Sequence, residues 1–188
     1  MSLLDIHVLG APILRVETRI VTEFTDELKV LAENMFETMH AAEGIGLAAP
    51  QVGREERLAV IEVDKARYVI VNPEVTLEEG EERGEEGCLS IPDIHGDVDR
   101  ATHVIVQAQD IDGKPIEIDA QGLLARCLLH EIDHLHGKLF IDYLSILKRR
   151  AALGKWEAAR SKYPGNIRKL VPAGVPGHRI PAPEHGEL

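Results

Sequence analysis

The stretch LLHEIDHLHG, residues 128–137, places His130 and His134 four residues apart with Glu131 between them. It follows a run of leucines and ends in glycine. Apolar residues recurring at helical spacing predict a helix over about 123–136, closed by Gly137. Successive helical residues turn by about 100°, so the two histidines lie within about 40° of one another. Leu123 and Cys127 share their face, and Arg126 and Asp133 fall on or near the other side. His-Glu-x-x-His on a helix is the pattern of two metal ligands with a glutamate that can reach a water. A hydrolytic site takes three protein ligands and leaves one position open, so a third ligand is needed.

Cys127 is on the right face but fails on reach. It lies seven residues from His134, a rise of about 10 Å, whereas metal–ligand bonds are about 2.0–2.3 Å. A third histidine in the metzincin manner is absent, because Phe140 stands at that position. Two candidates stay open. Glu157, on an expected helix downstream, gives a zinc metallopeptidase. Cys88, upstream in EEGCLSIP, gives a Cys/His/His set in which a metal keeps the thiolate deprotonated.

The rest of the chain supplies the frame. Residues 25–42 read as a helix, with Thr25 able to cap its start and Gly44 its end. RLAVIEV (57–63), RYVIVNP (67–73), THVIVQAQD (102–110) and KPIEID (114–119) read as strands, the last two joined at Asp112-Gly113. The acidic EEGEERGEE (78–86) reads as a solvated turn or loop. A third helix is expected from Ser145 to about 162. Helix, strands, then helix predicts an α+β fold, with mixed or antiparallel strands packed around the central metal-binding helix. Residues 1–163 form the expected catalytic domain. Five of the ten prolines fall in 164–188, which reads as an irregular tail.

The 188 residues, 44% hydrophobic and 28% charged, suit one globular domain. No apolar run approaches the roughly 18 residues of a membrane span. The N-terminus lacks a signal-peptide pattern, and two cysteines make no disulfide framework. A cytoplasmic setting is expected. The net charge of −11 argues against DNA binding. Residues 145–170 run the other way, with eight basic residues against Glu157 alone. That segment is either a solvated helix face or a docking surface for an anionic partner.

GIGLAAPQ (44–51), EGCLS (86–90) and HEIDH (130–134) resemble, in order and spacing, the three signature motifs of the peptide deformylase family. The likeness extends from GAPILR (10–15) to GKLFIDYLS (137–145). It implies removal of the N-formyl group from the initiator methionine of nascent chains. It further implies Cys88, His130 and His134 as metal ligands, Glu131 as catalytic acid/base, and Gln51 with the Leu89 N–H as oxyanion donors. Fe²⁺ is the implied native metal, with Zn²⁺, Ni²⁺ or Co²⁺ able to substitute. Gly44, Ile45, Gly46, Gly87, Leu123 and Cys127 are the implied substrate contacts. Glu86 and Arg100 are the implied ion pair behind the metal loop. His95 stands where many members carry arginine. Arg126 stands at an often aliphatic position, where it would snorkel outward or narrow peptide preference. A monomer is expected, with formylmethionyl peptides as ligands and a ribosome contact through 145–170.

Overall fold

The computed structural model describes residues 2–171. Helix α1 (Asp26–Ala41) is capped by Thr25, whose hydroxyl accepts from the Leu28 N–H at 3.3 Å. Asp26 and Glu27 complement the positive end of its dipole. The left-handed residue at its far end is Glu43 (φ 59°) rather than the expected Gly44. Gly44 instead donates its N–H to the Met39 carbonyl at 2.9 Å. Its missing side chain serves packing, since a Cβ there would lie 2.6 Å from Leu89 Cδ1.

Five antiparallel strands form the main sheet: β2 (Gly46–Ala48), β3 (Leu58–Val63), β4 (Ala66–Glu79), β7 (His103–Gln109) and β8 (Pro115–Gln121), side by side in that order. The sheet is covered on both faces. Leu58 and Val60 of β3 pack with α1, while Ala59, Ile61 and Val63 pack with helix α2 (Gly122–Leu135). A strand buried on both sides shows no apolar–polar alternation, which accounts for the continuous run in RLAVIEV. Leu128 and Leu135 of α2 are fully buried against this sheet. Their burial fixes which helix face the histidines occupy. Gly137 (φ 69°) ends α2, and Lys138 donates back to the Asp133 carbonyl at 2.9 Å.

A separate two-stranded ribbon, β5 (Glu82–Cys88) with β6 (Ile91–Arg100), confines the turn or loop expected over 78–86 to residues 80–81. Glu78 and Glu79 end β4, a turn follows, and the remaining residues are strand. The alternation was hidden because β5 turns Gly84, Glu86 and Cys88 inward instead of apolar residues. Helix α3 (Ile146–Ala159), capped by Ser145, packs Trp156 and Ala152 with Phe140, Ile91 and Val98 of the ribbon side. A short 3₁₀ turn, Arg160–Lys162, follows.

Part of the segment expected to be irregular is ordered pairing. Strand β9 (Ile167–Arg168) pairs antiparallel with β1 (Ile6–His7). The remainder of that expectation, 172–188, lies outside the described residues. Among the described residues no helix is long and apolar enough to cross a membrane.

Candidate metal centre

Two elements deliver the site. The end of ribbon strand β5 presents Cys88, and α2 presents His130 and His134. One ligand atom from each of the three lies within 4.8 Å of the others. Cys88 Sγ sits 3.2 Å from His134 Nε2. The imidazoles stand edge to face with centroids 5.0 Å apart. Atoms bound to one tetrahedral ion at ordinary bond lengths lie about 3.3–3.6 Å apart, so the spacing fits a shared ion. Among the described residues this is the one such group of three. Glu157 is not brought to the histidines. It is exposed on α3, pairs with Arg160 at 3.1 Å and borders a cavity of about 320 Å³ with Trp156 and Leu9. The zinc-peptidase alternative is thereby overturned.

The surroundings orient the ligands. His130 Nδ1 lies 2.9 Å from Glu86 Oε2, which leaves Nε2 for the site. Glu86 also accepts both prongs of the Arg100 guanidinium, at 2.8 and 3.0 Å. Arg100 reaches on to Asp133 at 2.7 Å, and Tyr143 donates to the same carboxylate at 2.9 Å. Burial alone would raise the pKa of Glu86. The bonds from His130 and Arg100 override it and hold the carboxyl at about 2. His130 shows the same contest, with burial opposing its charge but Cys88 and Glu86 holding its pKa well above the usual value. Burial dominates at His134 and keeps it neutral, and its Nδ1 has no hydrogen-bond partner among the described residues. A cysteine sulfur, a carboxylate-braced imidazole and a buried neutral imidazole suit a divalent cation.

Glu131 is 3% exposed, and its Oε2 has no hydrogen-bond partner among the described residues. Burial raises its pKa to about 7, assisted by the charges of Glu86 and Asp133 and opposed by His130. Gly46 makes room for it, since a Cβ there would lie 2.8 Å from the carboxylate carbon. Gln51 is fully determined in orientation. Its Oε1 accepts from the Ala48 N–H at 2.8 Å. Its Nε2 donates to Ser90 Oγ at 3.1 Å and lies 3.6 Å from Cys88 Sγ. Leu89 follows Cys88 in the turn between the ribbon strands.

The expected substrate contacts fall into two groups. Cys127 is buried, its thiol 3.7 Å from the Ile45 carbonyl, and burial pushes its pKa up so that it stays neutral. Ile45 and Leu123 are exposed apolar side chains at 44% and 56%. Gly87 is exposed on β5, where it pairs with His95; a Cβ on it would lie 2.6 Å from His95 Cδ2. Arg126 does not snorkel outward. It folds against the ribbon at Gly84 and donates to Glu86 at 3.1 Å. Reading the sequence assigned nothing to Ser90, Asp133 or Tyr143. Ser90 lies inside EGCLS, and that position was its one signal; the other two meet the site through Arg100, and Asp133 also acts on Glu131 through its charge.

The chain matches the polypeptide deformylase family model over residues 3–150. A peptide deformylase of Acinetobacter baumannii is 49% identical over 161 residues, 84% of this chain and 92% of that protein. The crystal structure of a peptide deformylase from Legionella pneumophila superposes with a TM-score of 0.81 at 46% identity. It covers 86% of this chain and 99% of that one. One from Synechococcus elongatus, in complex with actinonin, gives 0.78 at 44% identity, covering 81% and 85%. With the Cys/His/His grouping held between ribbon and helix, this extent of likeness leaves no other assignment: the chain belongs to the polypeptide deformylase family.

Proposed function

We infer that the protein hydrolyses the N-formyl group of formylmethionyl peptides, releasing formate and a free methionyl N-terminus. The observation that carries this reading is the convergence of Cys88, His130 and His134 beside a buried Glu131 and an oriented Gln51. The three ligands would hold one divalent ion, which supplies Lewis acidity and lowers the pKa of a water. Fe²⁺ fits this mixed N/S donor set, as do Zn²⁺, Ni²⁺ and Co²⁺, and supply decides among them.

The side chains supply the remaining chemistry. Glu131 takes the proton of the attacking water on a carboxylate oxygen and returns it to the departing peptide nitrogen. Burial holds its pKa near neutrality, which suits both halves of that exchange. One amide N–H of Gln51 is spent on Ser90, and the other points toward the sulfur side of the site. There it donates to the oxygen that gains charge, together with the Leu89 N–H.

Strand β2 pairs with β3 on one edge. Its other edge, entered through Gly44 and Gly46, can take the peptide as an added strand, with Gly87 at the opposite rim. Ile45, Leu123 and Cys127 offer the methionine side chain an apolar wall. The setting that fits is cytoplasmic, with the protein working as a monomer on nascent chains. On α3 and the turn after it, Lys148, Arg149 and Arg160 are paired with Asp97, Asp142 and Glu157. Arg150, Lys155 and Lys162 are exposed and would meet ribosomal RNA by a salt-dependent contact.

The test is formate release from a formyl-Met tripeptide by protein loaded anaerobically with Fe²⁺ or Ni²⁺. Turnover that disappears in Glu131→Ala is expected. No turnover with a loaded metal overturns the reading. Ribosome co-sedimentation that survives neutralising Arg150, Lys155 and Lys162 removes the docking surface.

A further inference from the structure

Arg126 lies one helical turn before His130 and within about 40° of it around α2, rather than on or near the other side as expected from the sequence. Its guanidinium turns away from solvent and the side chain is 15% exposed. Nη1 donates to the Val98 carbonyl at 2.9 Å and to Glu86 Oε1 at 3.1 Å. Nη2 donates to the Glu82 carbonyl at 2.7 Å. These acceptors come from both strands of the ribbon that ends in Cys88. Glu86 is also the group that faces His130 Nδ1. An isolated ion pair explains one of these contacts. A planar fork locked to two strands and to a ligand-orienting carboxylate is a different arrangement, and lysine cannot reproduce it.

Gly84 completes it. A Cβ on Gly84 would lie 2.9 Å from both Cζ and Nη2 of Arg126. A free arginine would move aside at little cost, but this one is pinned by its acceptors, so moving it breaks them. The two residues are therefore coupled through space, 42 positions apart in the chain.

We propose that Arg126 is a positioning residue for the metal centre. It registers the Cys88 ribbon and the Glu86 carboxylate against the helix that carries both histidines, and Gly84 is the clearance it needs. The proposal rests on the metal-binding reading above. It assigns Arg126 no contact with substrate.

The experiment loads metal-free protein with Co²⁺, records the visible d–d absorption, and follows Co²⁺ release to a chelator alongside kcat and KM. Arg126→Met keeps the stem and removes the fork. It is expected to speed metal release by about 10–100-fold, to shift the d–d bands, and to lower kcat more than it raises KM. Arg126→Lys restores charge without the fork and is expected to stay close to Arg126→Met. Gly84→Ala leaves the arginine in place and is expected to change release and spectrum in the same direction. The double variant is expected to be no worse than Arg126→Met alone, because both act on one set of contacts.

Release and spectrum unchanged in Arg126→Met overturn the proposal, even if thermal stability falls, because they leave Arg126 a purely structural role. A change there without one in Gly84→Ala overturns the clearance role. If Arg126→Met does not fold, Gly84→Ala decides by the same two readings. A parent protein that takes up no Co²⁺ overturns the metal reading itself, a result that differs from parent binding with unaltered variants.

Discussion

Gly46 lies against the side chain of Glu131 so closely that a Cβ on Gly46 would sit 2.9 Å from Glu131 Cγ and overlap Oε1. The contact joins the edge strand to the metal-binding helix at the carboxylate expected to carry the proton. Gly46→Ala therefore forces Glu131 from its place. Activity is expected to fall by about 10²-fold or more, the scale on which misplaced catalytic groups lose rate. The fold is expected to persist with a stability loss of about 1–3 kcal/mol from overpacking. Steady-state formate release and thermal melts separate the two effects. Unaltered turnover would mean that Glu131 relaxes without consequence.

Ser90 is fully buried and accepts from Gln51 Nε2. Without that acceptor the Gln51 amide loses one of the contacts that aim its second N–H. Ser90→Ala is expected to lower kcat by about tenfold. Gln51→Ala, which removes the donor itself, is expected to lower it by about 10²–10³-fold. An equal loss in both variants would place the effect of Ser90 elsewhere than in aiming Gln51.

Leu128 packs α2 onto the main sheet and is fully buried. Leu128→Ala leaves a cavity under the ligand helix and is expected to cost about 2–5 kcal/mol, read as a lower denaturation midpoint. Turnover well below the melting temperature is expected to be reduced less than in Gly46→Ala, because the cavity lies on the sheet side of the helix.

Asp142 ties the turn after α2 to the N-terminal segment. Burial favours its neutral form, but the paired bonds from Arg15 and the Leu139 N–H prevail and hold its pKa below the ordinary carboxylate value. The folded value lies below the unfolded one of about 3.9. The stabilisation is therefore complete at neutral pH and is lost as pH falls through the folded value. Asp142→Asn is expected to cost about 1 kcal/mol at pH 7, a scale set by partly exposed ion pairs. Its deficit in melting temperature relative to the parent is expected to shrink below about pH 4. A deficit that does not vary with pH would assign the loss to packing.

What was legible in the chain follows from where side chains carry their own signal. The α2 stripe, the His-Glu-x-x-His spacing and the β-branched strands each announce themselves locally. The β5 strand did not, because its inward positions are Gly84, Glu86 and Cys88 and its outward ones are Arg83, Glu85 and Gly87. Such a strand has no hydrophobic period to read. Glu43 rather than Gly44 takes the left-handed conformation because Gly44 is needed where Leu89 packs. Ser90 and Arg126 were beyond reach for another reason. Their partners, Gln51 and Glu86, lie 39 and 40 residues away, and no local pattern encodes a hydrogen bond across that distance.

The ligands come from two units that share no strand pairing, and Cys88 and His134 are 46 residues apart. An ion held between them would act as a removable crosslink, closing a long loop that the unfolded chain must otherwise close at an entropic cost. Any ligand that binds the folded state alone stabilises it in proportion to the logarithm of its free concentration. The survival of this protein would then follow the metal status of its surroundings, so that starvation for the ion would remove the polypeptide as well as its activity.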